Sequence, residues 1–183
     1  MSPLVSAANQ ILSLFTIAAQ ILTIGLVSII LLKKSEFIDF VGKRAILFTF
    51  VIALIATLGS LFYSEIAGFE PCKLCWFQRI LMYPQVILLG IAFLKKDENI
   101  AGYSLGLSIP GAIIAGYHYL LQLGVAPAFS CSAVGYSAHC SQRFVMNFGY
   151  ITIPLMAFSA FVIIILIQLI GKGYTKNVTK TPW

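Results

Sequence analysis

Pro71-Cys72-Lys73-Leu74-Cys75-Trp76-Phe77-Gln78-Arg79 sets two cysteines three residues apart at the mouth of an apolar run, with an arginine four residues beyond the second. A helix starting near Cys72 carries Cys72 and Cys75 on one face at i, i+3, and Cys75 and Arg79 on that face at i, i+4. A thiol reacts as its thiolate, which a neighbouring cation favours. Arginine keeps its charge in a low-dielectric setting where lysine can lose it. The stretch reads as a dithiol at a membrane edge with its own cation.

The membrane follows from the rest of the chain. Its 183 residues are 60% hydrophobic and only 10% charged, with a mean hydropathy of +0.95; a soluble domain carries about 25% charged residues. Five apolar segments stand out, at residues 8–32, 45–64, 76–94, 100–123 and 148–170. Each is near or above the roughly 20 residues that cross the hydrocarbon core as a helix. Backbone in lipid must satisfy its own hydrogen bonds, so unbroken runs of this kind are helical. The expectation is an all-α integral membrane protein: a four-helix transmembrane bundle over residues 45–171, preceded by an additional N-terminal transmembrane helix and cytoplasmic loop in 1–44, and followed by a cytoplasmic tail at 172–183. The formal charge of +6 does not indicate nucleic acid, because the basic residues cluster in short loops between apolar runs, where they set topology.

Nine of the twelve basic residues fall on one side of such a bundle: Lys33, Lys34, Lys43, Arg44, Lys95, Lys96, Lys172, Lys176 and Lys180. Only Lys73, Arg79 and Arg143 fall on the other. The positive side is cytoplasmic, which puts Cys72, Cys75, Cys131 and Cys140 outside, where disulfides persist. The first segment has no basic residue before it and Lys33-Lys34 after it, the reverse of a signal peptide. It is expected to be retained, with the N-terminus outside.

The cysteines admit several readings. Zinc wants four ligands, usually from two close pairs; Cys131 and Cys140 have eight residues between them and form no second knuckle, although His139 keeps the metal open. A static bridge between Cys72 and Cys75 closes almost no loop and stabilises little. A redox pair fits better, since a C-x-x-C at a helix start depresses a thiol pKa. Cys131 and Cys140 can brace the outer loop as a static disulfide, or complete a relay of two pairs on one face by thiol–disulfide exchange. The apolar Ala126-Pro127-Ala128-Phe129-Ser130 is held extended by its proline and suits docking in a partner's groove. His118 and Gln122 share a face of the fourth span (i, i+4). A histidine there is ordinarily a hydrogen-bonded packing residue, but this one lies at the depth expected for Arg79. The same span carries Gly102, Gly106, Gly111 and Gly116, read as packing positions of the bundle; Gly102 and Gly106 form a small-xxx-small pair that would admit a close helix, and Pro110 there, like Pro84 in the third span, should kink its helix.

The run Cys72-Lys73-Leu74-Cys75-Trp76-Phe77-Gln78-Arg79-Ile80-Leu81-Met82-Tyr83-Pro84 resembles the DsbB/BdbC family of membrane disulfide-bond formation proteins. Two further stretches agree: Tyr117-His118-Tyr119-Leu120-Leu121-Gln122 leading to Cys131, and Cys140-Ser141-Gln142-Arg143 leading to Phe148 and Gly149. The resemblance implies a thiol:quinone oxidoreductase of the bacterial cytoplasmic membrane. It would reoxidise a DsbA- or BdbD-like thioredoxin-fold oxidase outside the cytoplasm and pass electrons to a membrane quinone, ubiquinone or menaquinone. In that scheme the partner attacks Cys131, and the Cys131–Cys140 bridge is restored by exchange with Cys72–Cys75. Cys75 faces the quinone, Arg79 stabilises its thiolate and the charge developing on the quinone oxygen, and His118 lies beside the quinone. Two departures stand out: the family core has four spans, so the first segment here is extra, and the eight residues between Cys131 and Cys140 resemble the short loop of Gram-positive-type members. A vitamin K epoxide reductase-like protein would carry its loop pair before the C-x-x-C, the opposite of the order here. A transporter or assembly factor with static disulfides is the reading of a different class; ion coupling would call for acidic residues in the spans, and only Glu65, at an outer end, comes near.

Overall fold

The computed structural model describes residues 3–32, 35–97, 99–126 and 140–178. Among the described residues six α-helices run in order: α1 (Pro3–Leu31), α2 (Ser35–Lys43), α3 (Ala45–Leu61), α4 (Lys73–Lys95), α5 (Ile100–Gln122) and α6 (Ile153–Val178). A π-helical turn, Phe62–Ile66, extends α3. Five of these helices are long and apolar enough to cross a membrane. Among the described residues the only β pairing is an isolated bridge between Asn147 and Ile151. The all-α membrane bundle expected from the sequence is the fold.

Apolar residues pack the middle of the bundle, where Ala53, Met82, Leu89, Ala115, Phe161 and Ile164 form one core cluster. In lipid there is no strong apolar drive between helices, so close packing and buried hydrogen bonds hold them. Gln85 of α4 is fully buried and accepts at Oε1 from Ser104 Oγ (2.9 Å) and Ser108 Oγ (3.1 Å), one turn apart on α5. Gln168 of α6 donates to Thr49 Oγ1 of α3 at 3.0 Å.

Of the four glycines of α5, close approach occurs at Gly111 and Gly116 and not at the small-xxx-small pair. Nothing lies within 4 Å of a side chain built at Gly102 or Gly106. A side chain at Gly111 would instead collide with the ring of Phe161, and one at Gly116 would come within 3.3 Å of Phe158. The α5–α6 seam thus uses the cysteine-proximal half of α5. Both α4 and α5 continue through their internal prolines, Pro84 and Pro110.

The elements depart from the hydropathy reading in several places, beginning with α1, which starts at Pro3 rather than 8. The last helix starts at Ile153 rather than 148, because Phe148 (φ 52°) and Gly149 (φ 80°) turn the chain back on itself. The turn is closed by Ile151 N–H donating to the Asn147 carbonyl at 2.9 Å, and Pro154 follows in the first helical turn, where a missing N–H is harmless. The same helix runs on to Val178, into the segment read as a tail. The loop expected after the first span contains α2, a short amphipathic helix whose Ile38 and Val41 pack beside Leu26, Ala45 and Ile167. It carries too many charges, and is too short, to register as a span.

The alternation of helices gathers Cys72, Cys75 and Cys140 at one end of the bundle, with the ends of α3 and α5 and the starts of α4 and α6. Lys43, Arg44, Lys95, Lys96 and Lys172 lie at the other end. Lys33, Lys34 and Lys180 lie outside the described residues.

Candidate active site

Cys72 is the N-cap of α4, in extended backbone (φ −73°, ψ 172°), so the helix begins at Lys73 and Cys75 sits in its first turn. Pro71 before it holds the entry extended. Cys72, Cys75 and Cys140 are free thiols here. Cys72 Sγ donates to Cys75 Sγ at 3.2 Å, close enough for the pair to become a disulfide once an acceptor takes the two protons and two electrons that are released. Cys72 is 4% exposed and Cys140 3%. Both pack with Leu121 in one cluster, with Cys75 at its edge. The Cys72 thiol is pushed from an ordinary 9.0 up to about 12, first by the hydrogen bond it donates to Cys75, then by burial; His118 opposes both. Cys72 is therefore the protonated partner of the pair and Cys75 the acceptor.

His118, on the last turns of α5, is 1% exposed. Its Nδ1 lies 3.0 Å from Gln78 Nε2, and its Nε2 lies 3.0 Å from the Cys140 carbonyl oxygen and 3.7 Å from Cys72 Sγ. The Gln78 amide donates and the carbonyl accepts, which the neutral ring with its proton on Nε2 satisfies. The histidine thus packs through hydrogen bonds, as a buried histidine ordinarily does, and at the same time ties the C-x-x-C to the segment bearing Cys140. Gln78 escaped the sequence reading. Its position three residues after Cys75, hence on the same helical face, was the available signal.

Arg79 lies one turn beyond Cys75. Its Nε donates to Ser60 Oγ and a terminal nitrogen to the Ser60 carbonyl, each at 3.1 Å. Tyr83 donates to the same Ser60 hydroxyl at 3.1 Å, and the guanidinium lies 5.5 Å from the Trp76 ring and 6.0 Å from that of Tyr83. These partners are neutral, so they aim the arginine without cancelling its charge. Ser60, twelve residues before Cys72, had no sequence signal connecting it to the site.

The Cys140 segment is pinned to the end of α5. Gln122 donates to the Gln142 carbonyl at 3.0 Å. Arg143 donates through Nε (2.7 Å) and a second nitrogen to the Gln122 carbonyl, a cation on the helix C-terminus where the macrodipole favours it. Phe69 and Phe144 stack at 4.9 Å, joining the two loops at this end. Cys131, His139 and residues 127–130 lie outside the described residues.

A cavity of about 340 Å³ opens at this site. Cys75, Arg79, His118 and Ser60 line its polar end, and Ala56, Met82, Ala157 and Ala160 its apolar body. That volume is in the range that holds a small-molecule ligand. An aromatic headgroup with a carbonyl oxygen would fit the polar end and an apolar tail the rest. Cys72, Cys75 and His118 also hold their ligand atoms within 4.8 Å of one another. That is three donors where structural zinc takes four, and both nitrogens of His118 are engaged in hydrogen bonds.

Comparison with known proteins assigns the family. The family model described as disulfide bond formation protein DsbB matches residues 42–171. The chain belongs to the DsbB family. It is 45% identical over 139 residues to disulfide bond formation protein C of Bacillus subtilis (strain 168), covering 72% of this chain and 96% of the relative. It is 45% identical over 133 residues to a probable disulfide formation protein C of Halalkalibacterium halodurans, covering 70% and 93%, and 40% identical over 132 residues to a probable disulfide formation protein of Metapseudomonas resinovorans, covering 71% and 90%. No solved structure matches significantly. As a DsbB-family member the chain is a multi-pass membrane protein of disulfide bond formation, and hence an oxidoreductase. The family match leaves out residues 1–41, and with them all of α1.

Proposed function

We propose that this DsbB-family protein is a thiol:quinone oxidoreductase that reoxidises a DsbA- or BdbD-like thioredoxin-fold oxidase on the outer side of the membrane. The observation that carries the reading is the meeting of Cys75, Arg79 and His118 at the polar end of one apolar cavity. A quinone, when bound, supplies an acceptor of two electrons and two protons, which is what two thiols release on forming one disulfide.

The chain's residues do the rest. The partner's thiolate attacks Cys131 of a Cys131–Cys140 bridge and Cys140 leaves; the partner's second cysteine then closes its own disulfide and frees Cys131. Cys140 packs with Cys72, so its thiolate attacks Cys72 of the Cys72–Cys75 bridge, and Cys75 is the leaving group. Cys131 then displaces Cys72 from Cys140 and restores the loop bridge. Cys72 keeps its proton toward Cys75, whose thiolate develops one helical turn from Arg79. That preset cation lowers the energy of negative charge at the reacting end of the cavity without reorganisation. His118 holds its Nε2 proton toward Cys72 and Cys140 and keeps the two segments in register. The lysine- and arginine-rich end of the bundle is the cytoplasmic one.

The test is anaerobic: purified protein, a reduced thioredoxin-fold oxidase and quinone, with quinone reduction followed by ultraviolet absorbance. Stoichiometric quinol that is lost in Cys75→Ser supports the reading. Inert disulfides and no quinol would make the cysteines static braces. Cys131→Ser should block turnover of the partner while small dithiols still reduce Cys72–Cys75; normal partner oxidation in that variant overturns the relay.

A further inference from the structure

The N-terminal helix α1 lies outside the family match, yet it forms a wall of the cavity. Leu12, Phe15, Thr16, Ala19 and Leu22 all line it. Their spacing of three and four residues makes one stripe on a helix, about 15 Å long at 1.5 Å per residue. Across from them stand Ile52 and Gly59 of α3 and Ala160 and Ile163 of α6. The approach is close at the cysteine end, where a side chain at Gly59 would come within 3.2 Å of Leu12.

A helix so largely lipid-facing could present any face, and its polar groups decide which. Asn9 and Ser13 are buried. Asn147, in the turn before α6, donates to the Asn9 carbonyl at 3.0 Å and to Ser13 Oγ at 2.7 Å. Tyr150 donates to Gln20 Oε1 at 3.1 Å. Further along, Leu26 is buried among Ala45, Ile163 and Ile167. These contacts fix the rotation of α1 against α6 and turn the stripe toward the cavity. Thr16 is buried at the middle of the stripe, Phe15 and Leu22 at its edges are 53% and 51% exposed, and Ile21 and Ile24, on other faces, are 65% and 67% exposed.

We propose that α1 is the wall that holds the apolar tail of the quinone, so that the site selects for the tail through residues the family core lacks. The proposal rests on the quinone reading above. The cavity lining runs from Cys75 and Arg79 to Leu22 and Ile163 and is mostly apolar along α1, where the Thr16 hydroxyl is turned to the Leu12 carbonyl, which fits an amphiphile with one reactive end.

Two measurements on the full-length protein in lipid test it. The first uses a decyl benzoquinone with a diazirine at the end of its tail. Photolabelling should fall on α1 between Leu12 and Leu22 and be competed away by unmodified decyl benzoquinone. Competable label confined to α3 or α6 overturns the role of α1 and leaves the quinone reading intact. Label on α1 that the quinone does not displace marks a lipid channel and also overturns it. No competable label anywhere sinks the quinone reading itself. The second fills the stripe with Ala19→Phe, taking the lipid-facing Ile21→Phe as control. KM for decyl benzoquinone should rise about tenfold or more in Ala19→Phe, while KM for the same benzoquinone without a tail and the rate of partner thiol exchange stay at the control's values. Equal loss with both quinones, or with neither, overturns the assignment to the tail.

Discussion

At Cys72 the local geometry holds the proton of the pair, which Cys72 donates to Cys75. Its hydrogen bond to Cys75 and its burial raise its pKa from 9.0 to about 12, which favours the protonated form in the folded protein. The sign follows: below pH 9 Cys72 stays a thiol in folded and unfolded chains alike, and between pH 9 and about 12 only the unfolded chain loses the proton, so any stabilisation from this group fades across that window. In the reduced protein, alkylation of Cys72 should be slower than that of an ordinary thiol at pH 8, with the inflection moved up toward 12. Cys75→Ala removes the largest cause and should move that inflection back down; mass-spectrometric alkylation profiles against pH read it directly, and an unchanged profile would show that the pair is not coupled. Arg79 makes the complementary case. Held by Ser60 and flanked by Trp76 and Tyr83, it contributes charge more than contact. Arg79→Met should slow quinone reduction by about a hundredfold, the usual scale for losing one preset electrostatic group, while partner exchange at Cys131 stays near normal. Stopped-flow measurement of each half-reaction separates the two, and equal rates of quinone reduction in the variant and the parent remove Arg79 from the role.

Between elements, the α5–α6 seam depends on one missing side chain. Phe161 is fully buried against Gly111, so Gly111→Val must displace the ring or the helix. Overpacking of this kind costs about 1–3 kcal/mol and should lower the thermal midpoint in detergent. Phe161→Leu in the same chain should recover much of the loss, because it vacates the space the valine needs; no recovery would place the damage elsewhere. The α1–α6 contact is of another kind, a polar seam on an otherwise lipid-facing helix. Spacing alone cannot find such a seam, because its partners, Asn147 and Tyr150, stand more than a hundred residues away.

Over the whole molecule, charge sets orientation. The described basic side chains Lys43, Arg44, Lys95, Lys96 and Lys172 lie at the end away from the cysteines, and the proposed orientation puts that positive end in the cytoplasm. A C-terminal fluorescent-protein fusion should therefore be bright and a C-terminal alkaline phosphatase fusion inactive. The reverse pattern would place the cysteines in the reducing cytoplasm and end the proposed role. The expectation comes from the sequence alone, because loop charges act through membrane insertion, before any helix chooses its neighbours.

What the sequence determined by itself was what a bilayer and a helix impose locally. Five runs were long enough to span, and Cys75 and Arg79 share a face because the helical period alone places them there, with Cys72 joining them from the N-cap. The order of cysteine pairs marked the chemistry. Tertiary structure decided which way each helix faces. A span that is apolar all round carries no amphipathic stripe to orient it, so rotation is set by a few buried polar groups and small residues that meet across the bundle. Gln78 and Cys140 converge on His118 in this way, Ser60 anchors Arg79, Gly111 rather than Gly102 admits its neighbour, and α1 turns Leu12, Phe15 and Ala19 toward the cavity. None of these pairings lies within one helical turn in the chain, and each depends on how separate helices pack.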